Sequence, residues 1–117
     1  MKKILVADDE ETVRMVLKQM LEQGGFEVET AKNGVEALAK LKADTFSMLI
    51  SDINMPEMDG VELLGKAKAL LPELPIIFIT AFGKSQVIIQ AMRSGLSNYI
   101  EKPFRMNDVI STVNQYT

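Results

Sequence analysis

Ile4-Leu5-Val6-Ala7-Asp8-Asp9-Glu10-Glu11-Thr12-Val13-Arg14-Met15-Val16-Leu17-Lys18-Gln19-Met20-Leu21, residues 4–21, joins two hydrophobic periods end to end. Its first four residues are apolar, β-branched in part, and stop at acids, as expected of a short strand buried on both faces. Val13, Val16, Leu17, Met20 and Leu21 then recur at three- and four-residue intervals, which predicts an amphipathic helix. Gly24-Gly25 ends it. A buried strand running straight into a helix is half of a crossover unit, and the rest of the chain repeats that alternation.

Residues 26–30 read as a second strand, where Glu27 and Glu29 alternate with Phe26 and Val28. Charge at every other position suits an edge strand, because it discourages pairing with other chains. Asn33-Gly34-Val35-Glu36 has the form of a helix cap, with Val35, Leu38 and Leu41 as the stripe behind it. Residues 47–51 form a third buried strand. Asp59-Gly60-Val61-Glu62 is a second cap, leading into Val61, Leu64 and Leu71. Pro72 and Pro75 precede Ile76-Ile77-Phe78-Ile79-Thr80, the most apolar strand. A fourth helix over 85–94 stops at Gly95, a short fifth strand covers 98–100, and a last helix starts at Asn107 or Asp108. Met15, Met20 and Met48 read as core filler. Five βα units in one order predict an α/β fold, a parallel sheet between two helical layers with right-handed crossovers. No internal repeat or linker interrupts them, so residues 1–117 read as one domain.

Composition narrows the chemistry. The 117 residues are 47% apolar and 25% charged, an ordinary globular balance. The net charge is −3 and no basic block is present, which argues against direct nucleic-acid binding. No apolar run reaches the roughly 20 residues of a membrane span. The N-terminal apolar run is too short for an export signal, and the expected compartment is cytoplasmic. Histidine and cysteine are both absent, which excludes disulfides, thiolate or imidazole metal sites, and catalysis through a Ser-His-Asp or Cys-His pair. Carboxylates, hydroxyls, lysines, backbone amides and hard cations remain.

In open α/β sheets the site lies beyond the carboxyl ends of the strands. Asp8 and Asp9 follow the first strand, Asp52 the third, Thr80 ends the fourth, and Lys102-Pro103 follow the fifth. Two carboxylates about 4 Å apart repel by roughly 4 kcal/mol at an effective dielectric near 20. Three on one rim demand protonation or a cation. An all-oxygen set suits Mg²⁺. The formal charges of three acids, Mg²⁺ and Lys102 cancel, leaving a pocket able to accept a phosphoryl group.

Asp8-Asp9, the run Asp52-Ile53-Asn54-Met55-Pro56-Glu57-Met58-Asp59-Gly60, Thr80-Ala81 and Tyr99-Ile100-Glu101-Lys102-Pro103-Phe104 together resemble a response-regulator receiver domain over essentially the whole chain. The resemblance implies a flavodoxin-like three-layer sandwich with strand order 2-1-3-4-5 and five helices. It implies that Asp52 is the phosphoacceptor, forming an acyl phosphate with a phosphoryl group from a partner histidine kinase or phosphotransfer protein. Asp9 would ligate Mg²⁺ directly and Asp8 through water, with Asp52 and the Asn54 carbonyl completing the protein ligands. Lys102 would pair with a phosphoryl oxygen, Thr80 would hydrogen-bond another, and the Lys102-Pro103 bond would be cis. Thr80 and Tyr99 would form the switch that alters the face of the fourth helix, fifth strand and fifth helix for a downstream target. A homodimer through that face is left open. The domain is expected to be a signalling module rather than an enzyme, although it promotes its own phosphorylation and dephosphorylation.

Other readings fit less well. Gly83-Lys84-Ser85 lacks the first glycine of a Walker A loop, because position 78 is Phe. The turn after the first strand carries acids where a dinucleotide site needs glycines. An aspartyl-nucleophile phosphohydrolase wants a second acid two residues after the nucleophile, and Asn54 stands there. A scaffold that binds partners without phosphorylation would not need the whole set of Asp8, Asp9, Asp52, Thr80 and Lys102. Leu96 replaces the small alanine common in receivers, so packing at that corner should differ. Phe82 is expected to hinder the water that hydrolyses the acyl phosphate. Thr80-Ala81-Phe82-Gly83 and Glu101-Lys102-Pro103-Phe104 resemble receivers attached to transcription activators, which suggests a domain of a longer regulator.

Overall fold

Five strands and five helices alternate from end to end in a computed structural model that describes residues 2–81, 83 and 85–117. They are β1 (Lys3–Ala7), α1 (Glu11–Gln23), β2 (Glu27–Ala31), α2 (Gly34–Ala43), β3 (Met48–Asp52), α3 (Gly60–Leu70), β4 (Ile76–Thr80), α4 (Gln86–Arg93), β5 (Asn98–Glu101) and α5 (Met106–Asn114). All the strands pair in parallel, in the order β2-β1-β3-β4-β5. This is the flavodoxin-like arrangement that the resemblance implies. β2, with its alternating glutamates, is indeed an edge strand. Three strand boundaries fall one residue later than the hydrophobic runs suggest, because the terminal residues Ala31, Asp52 and Glu101 still pair with a neighbouring strand.

Alternation along the strands divides the core into two layers. Leu5, Ala7, Leu49, Ile76 and Phe78 face α2, α3 and α4, packing on Ala37, Leu41, Leu63, Leu64, Ala67, Ile88 and Ala91. Ile4, Val6, Met48, Ile50, Ile77, Ile79 and Ile100 face the other way, onto Leu17 and Leu21 of α1 and Val109 and Val113 of α5. Both faces are covered, as an all-parallel sheet requires.

The caps form largely as read. Asn33 Oδ1 accepts from Glu36 N–H at 2.8 Å and Asp59 Oδ1 from Glu62 N–H at 2.9 Å. Asp108 reaches back to the Arg105 N–H at 3.0 Å, so α5 begins at Met106, ahead of the expected Asn107 or Asp108. The stripes of α2 and α3 are rotated from the expected ones. Val35 and Val61 are exposed, while the glycines before them are buried. A Cβ on Gly60 would run into the Asp52 carbonyl and lie 2.8 Å from Ile53 Cα, so α3 can start against the end of β3 only with glycine there. Met15 is a correction of a different kind. It lies on the solvent face of α1 at 62% exposure, whereas Met48 is fully buried and Met20 packs at the edge of the core.

Phe78 is the largest fully buried side chain among the described residues. Phe78→Ala should cost roughly 3–5 kcal/mol in urea unfolding, and Val61→Ala on the exposed side of α3 less than about 0.5 kcal/mol. Similar losses at the two positions would contradict this layering.

Candidate functional site

Strand register decides what meets at the carboxyl edge. Ala7 pairs with Ser51, Asp52 with Ile79, and Thr80 with Glu101, so the strands end nearly level. Asp8 and Asp9 leave β1 where Asp52 closes β3, Thr80 closes β4, and Lys102 leaves β5. One carboxylate oxygen each from Asp8, Asp9 and Asp52 lies within 4.8 Å of the other two. Lys102 Nζ stands 3.7 Å from Asp52 Oδ1, and the Lys102 main-chain N–H donates to the Thr80 carbonyl at 2.8 Å. The Lys102-Pro103 bond is cis. Asp9, Glu10, Asp52, Ile53, Asn54, Thr80, Ala81 and Lys102 line a hollow of about 240 Å³.

Asp8 lies beneath this hollow at 1% exposure. Its Oδ1 accepts from Glu10 N–H at 2.8 Å, and its main-chain carbonyl accepts from Arg14 Nη1 at 2.7 Å. Oδ2 is buried with no hydrogen-bond partner among the described residues. Burial pushes the Asp8 carboxyl up to about 6, and the charges of Asp52 and Asp9 push the same way, against the Glu10 N–H and Lys102. Burial also raises the Asp52 carboxyl, while Lys102 and the Ile53 N–H, 2.9 Å from Oδ1, hold it down. An orphaned carboxylate oxygen in a buried site costs free energy. Here the Asp8 carboxylate clusters with two further carboxylates, all hard oxygen donors with no thiolate or imidazole, and such a donor set fits a hard divalent cation.

The residues singled out from the sequence therefore converge. Asn54 lines the hollow from the exposed side of the loop after β3. Tyr99 sits farther out, half-buried beside Phe78 on the α4 side of β5. With Gly83, Ile88, Ile89, Met92 and Arg93 it borders a second hollow of about 440 Å³. Leu96 is buried in the layer beneath α4, so the corner accommodates the larger side chain. The expectation about Phe82 concerns a residue outside the described ones, as does Lys84. Glu10 was missed as a site residue. It lines the hollow and its charge raises the Asp52 carboxyl, and the unbroken run Asp8-Asp9-Glu10 was the signal for it.

Comparison with known proteins agrees with this geometry. The family model described as the response regulator receiver domain matches residues 4–114. The chain is 36% identical over 114 residues to the chemotaxis protein CheY of Bacillus subtilis, covering 97% of this chain and 95% of that one. It is equally identical to the response regulator protein FleR of Pseudomonas aeruginosa, but there it spans 24% of the longer protein. A response regulator receiver domain protein from Clostridium thermocellum superposes with a TM-score of 0.93 at 32% identity, over 99% of this chain and 94% of that one.

Folded Asp8 keeps its proton up to about pH 6, whereas an unfolded aspartate releases it near about 4. The folded state thus binds the extra proton in this window, and metal-free stability falls as pH rises through it. Asp8→Asn removes that fall. In urea unfolding without divalent ions the variant should exceed wild type by roughly 1–3 kcal/mol at about pH 7.5 and match it near pH 4. No gain at the higher pH would contradict the charge strain assigned to Asp8.

Proposed function

The chain belongs to the response regulator receiver family, signalling domains of two-component systems, and from that premise we propose that Asp52 accepts a phosphoryl group in a Mg²⁺-dependent transfer. The observation that carries the reading is the meeting of three carboxylates, one of them buried with an orphaned oxygen, beside Lys102 and Thr80. Receiver domains interact with histidine kinases and downstream effector domains. A phosphohistidine on such a kinase or on a phosphotransfer protein is the proposed donor. This chain has no histidine, so the group arrives from another molecule.

Asp8, Asp9, Asp52 and the Asn54 carbonyl would hold the Mg²⁺, which when bound would neutralise the acids and the oxygens of the incoming phosphoryl group. An ionised Asp52 oxygen attacks phosphorus. The new P–O bond makes an acyl phosphate while the P–N bond to the donor imidazole breaks, and that imidazole takes its proton from solvent. Lys102 presents its ammonium to a phosphoryl oxygen and favours the ionised form of Asp52, partly offsetting the pull of burial. The Thr80 hydroxyl donates to a second oxygen. Positioning and charge complementarity account for the rate, as in other phosphoryl transfers. Water later cleaves the acyl phosphate, returning the carboxylate and inorganic phosphate.

Phosphorylation would add roughly 1.5–2 negative charges, by analogy with other phosphorylated side chains. Movement of Thr80 toward that charge, with Tyr99 following, would alter the face of α4, β5 and α5 for a downstream target or a second copy. Residues 1–117 would then form one receiver domain working in the cytoplasm without direct contact to nucleic acid or membrane. No described helix is long and apolar enough to cross a membrane.

Incubation with Mg²⁺ and a small phosphodonor tests the proposal by intact-protein mass spectrometry. One phosphoryl adduct should form, disappear in Asp52→Asn, and form roughly 100-fold more slowly in Lys102→Ala. Rapid turnover of phosphate esters would favour a hydrolase, and no adduct at all would favour a scaffold.

A further inference from the structure

The loop between β3 and α3 carries Asn54 next to Asp52, and its shape is over-determined. Ile53, Met55 and Met58 are buried in the layer under α2 and α3, while Asn54, Pro56, Glu57 and Asp59 are exposed. Gly60 N–H donates back to the Ile53 carbonyl at 2.7 Å and closes the loop at its base. At the tip, Met58 N–H donates to the Pro56 carbonyl at 2.8 Å, across Glu57 at φ 69°. A three-residue turn around a non-glycine residue at positive φ is rare and strained. Such conformations persist only where the surroundings hold them.

What holds this one is the first residue of α2. A Cβ on Gly34 would lie 2.6 Å from the Met58 carbonyl oxygen and 3.0 Å from both Met58 Cβ and Cγ. Met58 therefore rests directly on the backbone of Gly34, at the residue that follows the strained Glu57. The nearest obstacle is a carbonyl oxygen rather than a flexible side-chain end, so a Cβ at position 34 could be relieved only by moving α2 or the loop. Helix α2 is fixed by Ala37 and Leu41 in the core, and by Asn33 at its cap. The loop carries the strained Glu57 turn, so it is the part expected to shift.

We propose that Gly34 is a positioning residue for the phosphoacceptor loop, its missing Cβ seating Met58 so that the Asn54 carbonyl and Asp52 are held in register with Asp8 and Asp9. This rests on the reading of those four residues as the Mg²⁺ ligands. Partners that orient metal ligands without touching the metal typically change affinity by about 10–100-fold when altered.

Calorimetric titration of the intact chain with Mg²⁺ tests it, alongside amide NMR spectra of the metal-free protein. Gly34→Ala should weaken Mg²⁺ binding at least about tenfold and shift the amide resonances of residues 53–59 before any metal is added. Met58→Ala keeps the carbonyl and Cβ but removes the Cγ contact and the buried side chain that seats the loop, without introducing a clash, and should weaken binding in the same direction even if Gly34→Ala fails to fold. Gly65→Ala is the control, because a Cβ there meets nothing within 4 Å; it should bind as wild type does. Wild-type affinity in Gly34→Ala or in Met58→Ala would overturn the assignment, whatever happens to thermal stability. A wild-type chain that binds no Mg²⁺ would overturn the ligand reading itself, and this inference with it.

Discussion

Three carboxylates held on one rim of a folded domain form the constraint around which the rest of this structure is arranged. An ionised Asp8 opposes folding in the absence of a cation, because burial and the neighbouring acids outweigh the Glu10 N–H and Lys102. It is almost wholly buried, one of its oxygens has no hydrogen-bond partner among the described residues, and Asp52 and Asp9 beside it share its charge. A domain assembled for stability alone would place a neutral side chain there. The cost is tolerated because the fold supplies the complementary pieces from other strands: the Lys102 ammonium after β5, the Thr80 hydroxyl at the end of β4, and room for a hard cation among oxygen donors. The parallel sheet makes this feasible, since only level carboxyl ends bring residues so distant in sequence to a single edge.

Close backbone approach is the second device. Gly60 lets α3 begin against the carbonyl of Asp52, and Gly34 lets α2 begin against Met58. Both glycines occupy the first position of a helix, and both face inward. Asp52 and the loop beside it are therefore held between two helix starts, and Ile53, Met55 and Met58 anchor the loop from below. Rigidity around Asp52 contrasts with the outer end of the sheet, where Tyr99 is only half-buried and borders an open hollow.

How much of this was legible in the sequence follows from the same physics. The strands could be read because each is an apolar run ending at a residue of different chemistry, and Ile76–Thr80 is bounded as the run suggests. Asp8, Asp9, Asp52, Thr80 and Lys102 could be read because each sits at such a boundary. The helix faces were harder. Counting large apolar residues selects Val35 and Val61, yet the buried stripes start one residue earlier, at Gly34 and Gly60, and continue through Ala37 and Leu41 or Leu63, Leu64 and Ala67. Glycine carries no hydrophobic signal, so a face organised by backbone contact escapes a hydrophobic pattern. Met15 misleads for the opposite reason, being apolar but placed on the solvent side of α1. Glu10 was visible as charge, but its approach to Asp52 depends on how the chain turns into α1.

The central claim is that the acidic rim is completed by one divalent cation taken up by the folded state. Unfolding free energy measured against Mg²⁺ concentration tests it most directly. If one ion binds the folded chain only, stability should rise by about 1.4 kcal/mol for each tenfold increase in Mg²⁺ above the dissociation constant. That rise should vanish when Asp8 and Asp9 are both replaced by Asn. Stability indifferent to Mg²⁺, or a rise that survives the double replacement, would contradict the account.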